Sequence, residues 1–207
     1  AELAETETGP TVTALSEIAS RSGTTIIAGS LAMRVGDKIY NRSVVIGPNG
    51  SIIAGYEKLH LFSMTGEERF FAPGNRRVEF DLAGMKAGMA ICYDLRFPEL
   101  FRNLALDGAQ VIFLPAEWPT IRAGHWDLLV RARAVENQVY ICAVNCVGEH
   151  RGSSFYGHSM LVGPDGQILA EGNDTEGIIY GEMEAAVVAE VRENMRVWQD
   201  RRPEVYR

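Results

Sequence analysis

The chain has 207 residues, 46% of them hydrophobic and 23% charged, with a formal net charge of -7. This is the composition of one globular domain with enough apolar sequence for a full core, and it excludes a disordered chain. The acidic balance, with no basic stripe to offset it, excludes a surface built for nucleic acid or for an anionic membrane. No apolar run approaches the roughly 18 residues needed to cross a bilayer.

The acidic start, Ala1 to Glu7, has neither the n-region nor the h-region of a signal peptide. Pro10 opens a helical pattern that places Val12, Leu15, Ile18 and Ala19 on one face and stops at Gly23. Thr24 to Gly29 reads as a short buried strand. Asp37 to Ile46 and Ser51 to Tyr56 read as strands joined by Pro48-Asn49-Gly50, a hairpin signal. Lys58 to Asn75 lacks periodicity and reads as a long loop, a feature more often functional than accidental. Lys86 to Cys92 is an apolar strand, Pro98 to Leu106 a helix, and Val111 to Leu114 another apolar strand. Gly124 to Gln138 is an amphipathic helix and Val139 to Val147 a strand. Ser154 to Val162 and Gln167 to Ala170 form a hairpin around Pro164-Asp165-Gly166. Gly177 to Met183 is the last strand, Glu184 to Arg196 a helix, and Trp198 to Arg207 a polar tail. Strands apolar on both faces, alternating with helices, predict a layered α/β fold in a single domain.

Three cysteines do not make a disulfide framework, so Cys92, Cys142 and Cys146 read as reduced thiols of a cytoplasmic protein. Cys92 sits between an apolar strand and the helix opened by Pro98. Helix-terminal amides and the helix dipole lower the pKa of a thiol so placed, and the Tyr93 amide faces a developing oxyanion, as for an activated nucleophile. Cys142 and Cys146 lie mid-strand and read as core residues. His60, His125, His150 and His158 show no metal-ligand spacing, so no metal is expected, and each remains open as a partner for Cys92. Lys58 opens the long loop among apolar neighbours, where a fixed cation stabilises an oxyanion.

Several segments resemble the motifs of one family. Tyr56-Glu57-Lys58-Leu59-His60-Leu61-Phe62 is similar to the lysine motif of the nitrilase superfamily, the carbon-nitrogen hydrolases. Gly88-Met89-Ala90-Ile91-Cys92-Tyr93-Asp94-Leu95-Arg96-Phe97-Pro98-Glu99 is similar to its nucleophile motif. Ala116-Glu117-Trp118-Pro119, His125-Trp126, Ala132 to Gln138 and Gly157-His158-Ser159-Met160 follow in consistent order. The resemblance implies an αββα four-layer sandwich that hydrolyses a non-peptide carbon-nitrogen bond through a cysteine thioester, with no cofactor. It implies Cys92 as nucleophile, Lys58 as oxyanion-stabilising cation, and Glu67 as a second glutamate that supports the lysine or orients substrate, with Glu68 one register away.

The family's general base is a glutamate ahead of the helix that corresponds to Pro10 to Ser22. By this resemblance the chain lacks that glutamate and the first strand-helix-strand, which implies an N-terminally incomplete domain. Glu2, Glu5, Glu7 and Glu17 follow that segment and are not assigned to the role. The motifs around Cys92 and Ala116-Glu117-Trp118-Pro119 are most similar to the omega-amidase branch, which implies the terminal amide of a small carboxylic acid as substrate. Glu117 and Trp118 would line the pocket and Arg122 would meet a substrate carboxylate. Arg131, Arg133 and Glu136 share a helix at ion-pair spacing and read as structural, as does His158. The alternatives are an N-carbamoyl amino acid amidohydrolase, a nitrilase, or an inactive member serving as an interaction protein. The resemblance also implies a homodimer or higher homo-oligomer. The helix Gly124 to Gln138, apolar around much of its circumference, and the aromatic and arginine-rich tail after Met195 fit such an interface.

Overall fold

The computed structural model describes residues 3–150 and 152–206. The first layer is helix α1 (Pro10–Ser22), which opens at a proline and closes at Gly23 with φ 66°. Glu5 ties down its start, because its carboxylate accepts from the Thr11 amide at 2.9 Å and the Thr11 hydroxyl at 2.6 Å. Val12 and Ala19 of α1 pack on Met33, Val44 and Ile46 of the sheet beneath. Ile18, expected on that face, is 45% exposed.

The second layer comprises β1 (Ile26–Ile27), β2 (Leu31–Val35), β3 (Lys38–Ile46) and β4 (Ile52–Glu57). β1 and β2 pair along one side of β3, and β4 pairs with β3, all antiparallel. The β3–β4 turn is the predicted one. Gly50 takes φ 82°, and the Asn49 side chain accepts the Ser51 amide at 3.0 Å.

The third layer is a six-stranded sheet. It comprises β5 (Glu79–Leu82), β6 (Met85–Met89), β7 (Val111–Ala116), β8 (Tyr140–Asn145), β11 (Met160–Val162) and β12 (Ile168–Glu171), in spatial order β12-β11-β8-β7-β6-β5. β6, β7 and β8 run parallel and the flanking strands antiparallel. Helices α2 (Pro98–Leu106) and α3 (Ala123–Asn137) form the fourth layer. Val45 and Tyr56 of the second layer meet Ala87, Met89, Val111 and Phe113 of the third. On the other face of the third layer, Ile112, Leu114 and Ile141 meet Phe101, Leu104, Trp126 and Val130. The order helix, sheet, sheet, helix is the expected αββα sandwich.

Several elements differ from expectation. β2 and β5 are additional strands. β6 stops at Met89, and Cys92 opens a 3-10 helix, Cys92–Arg96, in place of ending the strand. The expected strand Val139 to Val147 divides at Cys146, and β9 (Val147–His150) pairs with β10 (Ser153–Tyr156) as a separate hairpin. β10 and β11 are separate because Gly157 (φ 68°) and His158 (φ 48°) take left-handed backbone that no ladder accommodates. Gly177 to Met183 has no ladder partner among the described residues, and Ile178 and Tyr180 stand 78% and 82% exposed. Helix α4 (Ala185–Asn194) follows. The tail is not free of its own chain. Trp198 packs on the core between the Arg102 and Arg192 guanidinium groups, 5.5 and 4.7 Å from its ring. Arg133 pairs with Glu136 at 2.9 Å as predicted, whereas Arg131 donates to the Gly166 carbonyl instead.

Candidate active site

Cys92 and Lys58 come from different sheets and meet at one cavity of about 830 Å³, at the C-terminal ends of β6 and β7. Glu67, Tyr93, Arg96, Glu117, Trp118 and Arg122 share its walls. None of the four histidines lines it, so the Cys-His pairing left open by the sequence has no geometric support.

Cys92 has φ 46°, in the left-handed region where a side chain with Cβ is strained. The turn swings its thiol out of the sheet, 3.9 Å from the Glu117 carbonyl. Tyr93 follows in the first turn of the 3-10 helix, where an amide has no carbonyl partner within the helix. The expectation of a depressed Cys92 pKa is not met. Burial pushes the thiol up, and the Lys58 charge and the Glu117 carbonyl bring it only part of the way back.

Lys58, 3% exposed, leaves the end of β4 and places its Nζ 2.6 Å from Glu67 Oε2. The same oxygen accepts the Phe62 amide at 2.7 Å, and the other accepts Asn41 Nδ2 at 2.8 Å. Burial acts to raise the Glu67 pKa. The bonds from Lys58, Phe62 and Asn41 outweigh it and hold the carboxyl below its ordinary range. Glu67 is thus the glutamate paired with Lys58, while Glu68 is exposed. The loop Ser63–Arg69 makes this possible through two 3-10 turns hinged at Gly66, φ 71°.

Trp118 is a structural anchor of the wall. It is 2% exposed, its amide donates to Asn145 Oδ1 at 2.6 Å, and its indole donates to the Arg122 carbonyl at 2.8 Å. Arg96 lies over its ring at 4.8 Å. Arg122 lies 5.5 Å over Phe62. Among the described residues, neither Arg96 nor Arg122 has a carboxylate partner. Glu117 is exposed at the wall. Sequence reasoning missed Asn41, whose position in the middle of β3 carries no motif, and Arg96, whose place in the segment after Cys92 signals no role until the fold brings it to the cavity.

Glu5 and Glu7 are engaged elsewhere, with Thr11 and, at 2.6 Å, with Arg42. Glu17 is exposed, and Glu2 lies outside the described residues. His158 bonds Glu171 at 3.0 Å, in keeping with a structural residue.

A buried cation-carboxylate pair beside a strained cysteine, at the mouth of a layered α/β sheet, defines a class of thiol hydrolase. Residues 1–193 match the family model for carbon-nitrogen hydrolases, and the chain belongs to that family within the nitrilase superfamily. It is 41% identical to the 2-oxoglutaramate amidase of Bacillus subtilis (strain 168), over 93% of this chain and 74% of that protein. It is 34% identical to the omega-amidase NIT2 of Homo sapiens, over 99% of this chain and 78% of that protein. Among solved structures, it matches a mutant of the amidase from Nesterenkonia sp. AN1 with TM-score 0.82 and 28% identity, over 94% of this chain and 71% of the other. That structure shows covalent addition of the acetamide moiety of fluoroacetamide at the active-site cysteine. No described helix is long and apolar enough to cross a membrane.

Proposed function

We propose that the chain is an omega-amidase, hydrolysing the terminal amide of a short dicarboxylic acid monoamide such as a 2-oxo acid amide. The observation that carries this reading is the Lys58–Glu67 pair beside Cys92 in a cavity that also holds two arginines, Arg96 and Arg122, without carboxylate partners among the described residues. The names of the amidase relatives support the same substrate class.

In the proposed reaction the Cys92 thiolate attacks the amide carbon and a C–S bond forms. Lys58 and the Tyr93 amide hold the oxyanion. Collapse breaks the C–N bond, the nitrogen takes a proton and leaves as ammonia, and water then attacks the thioester to release the acid and the thiol. Glu67, with three donors, and Asp94, with four, are the carboxylates whose charges bear on Cys92, and both are already engaged as acceptors. Proton transfer is therefore assigned to the glutamate that the resemblance places ahead of α1. Glu67 holds Lys58 extended toward the oxyanion. Arg122, with Arg96 beside it, receives the substrate carboxylate, and Glu117 and Trp118 shape the wall.

We also propose a homodimer. The outward residues Leu128 (67% exposed) and Val135 (49% exposed) on α3 leave an apolar face, which supports pairing through that helix. Light scattering at micromolar concentration checks this, and a stable monomer rejects it.

Ammonia release from 2-oxoglutaramate, succinamate, N-carbamoyl-β-alanine and a short nitrile tests the substrate class. The proposal expects kcat/KM for the monoamides to exceed the others by roughly 100-fold or more. Arg122→Met should raise KM for carboxylated amides and leave an uncharged amide unaffected. Preference for the carbamoyl compound or the nitrile overturns the assignment.

A further inference from the structure

Lys58 and Cys92 sit on separate sheets, and the strained turn at Cys92 has little regular structure of its own to fix it. One buried carboxylate spans the gap. Asp94, two residues after Cys92, is 0% exposed and accepts four hydrogen bonds. Its Oδ2 takes the Tyr56 hydroxyl at 2.6 Å and the Ile91 amide at 2.8 Å. Its Oδ1 takes the His60 amide at 3.0 Å and faces His60 Nδ1 at 2.7 Å. Because that partner is a carboxylate, the Nδ1 proton is assigned to the bond. Ile91 precedes Cys92, and Tyr56 and His60 flank Lys58 two residues to either side. A buried charge is tolerated only when its lone pairs are satisfied. Here the donors that satisfy it are the segments that must be held together.

We infer that Asp94 and His60 are positioning residues that lock the strand end bearing Lys58 to the turn bearing Cys92. This rests on the reading of those two residues as oxyanion cation and nucleophile. His60 is not itself placed to react. Its ring stacks on Phe97 at 3.6 Å with planes 7° apart, its Nδ1 is engaged, and it does not line the cavity. Tyr56 is fixed as a donor, since burial and the neighbouring Asp94 charge hold its hydroxyl well above the ordinary tyrosine range.

Two substitutions in the full-length enzyme separate positioning from packing. His60→Phe keeps a ring over Phe97 and removes Nδ1. His60→Asn removes most of the ring and keeps a donor near the place of Nδ1. The readouts are the iodoacetamide alkylation rate of Cys92, which needs no amide turnover, and the split between kcat and KM. Misplacement by about 1 Å costs on the order of 100-fold. His60→Phe is therefore expected to slow alkylation and lower kcat by about 10- to 100-fold with KM within about twofold, and His60→Asn to recover most of that loss. The reverse order, with His60→Asn impaired and His60→Phe normal, makes His60 a packing residue and overturns the inference. Wild-type rates in both, or a change confined to KM, also overturn it. Should His60→Phe fail to fold, Tyr56→Phe removes a single hydroxyl from Asp94 and should slow alkylation likewise, and an unchanged rate there overturns the inference. Failure of the omega-amidase reading would change which amide is cleaved and leave the alkylation series intact.

Discussion

Glu67→Gln isolates the electrostatic part of the Lys58 site. The Lys58 and Glu67 side chains are 4% and 10% exposed, and Nζ lies 2.6 Å from Oε2. A glutamine oxygen in place of Oε2 still accepts from Lys58 and from the Phe62 amide. Its amide group then faces Asn41, whose side chain can turn its oxygen to meet it. The hydrogen bonds persist while the negative charge disappears, and Lys58 remains as a buried ammonium without a counter-charge. Breaking a buried pair in this way costs about 3–5 kcal/mol. Adding Lys58→Met removes the stranded charge, so the double variant should be more stable than the sum of the single losses by about 2–3 kcal/mol.

The pH dependence has a definite sign. The folded Glu67 pKa lies below its ordinary value of 4.5. Its contribution is therefore complete above that value and disappears as pH falls through the lower, folded value. Urea unfolding at pH 7 and in the acid range measures both effects. The gap between wild type and Glu67→Gln should narrow in acid. A single variant within about 0.5 kcal/mol of wild type, additive costs in the double variant, or a gap that widens in acid would refute the reasoning.

Three further outcomes are expected. Iodoacetamide should label Cys92, which lines the cavity beside the Lys58 charge, well ahead of Cys142, which does not line it and whose thiol burial pushes up to about 11; peptide mapping that finds Cys142 labelled first at pH 8 contradicts this. Gly74→Ala should lower both the melting temperature and kcat, because the new Cβ overlaps the Glu57 carbonyl where the Gly74 amide bonds Lys58 at 2.9 Å; overpacking of this kind costs about 1–3 kcal/mol, and unchanged melting would show that the loop gives way. Truncation after Met195 should lower the urea midpoint, since Trp198 fills a place on the core between Arg102 and Arg192; an unchanged midpoint would return the tail to a loose end.

The order of elements around the site was legible in the sequence because turn chemistry is local. Pro98 starts α2 and Pro48-Asn49-Gly50 turns β3 into β4, as the residues alone require. Gly157 and His158 were harder, since a left-handed histidine has no compositional signal and the apolar run through it reads as one strand. Gly177 to Met183 carries the β-branched and aromatic run Ile178-Ile179-Tyr180 that suits a strand, but a ladder needs a partner as well as suitable residues. Cys92 and Lys58 were legible as motifs, whereas their meeting is tertiary. The depressed thiol pKa inferred from the turn failed because burial, invisible in the sequence, outweighs the Lys58 charge. Asn41 and the four-donor carboxylate of Asp94 belong to the same non-local layer of information.

The central claim is that the carbon-nitrogen bond is broken through a thioester on Cys92. Mixing full-length enzyme with 2-oxoglutaramate, quenching in acid within milliseconds and mapping peptides by mass spectrometry reads it directly. The account predicts an acyl adduct on the peptide carrying Cys92, its loss in Cys92→Ala, and no ammonia release from that variant. An adduct on another residue, or ammonia release that survives Cys92→Ala, would contradict it.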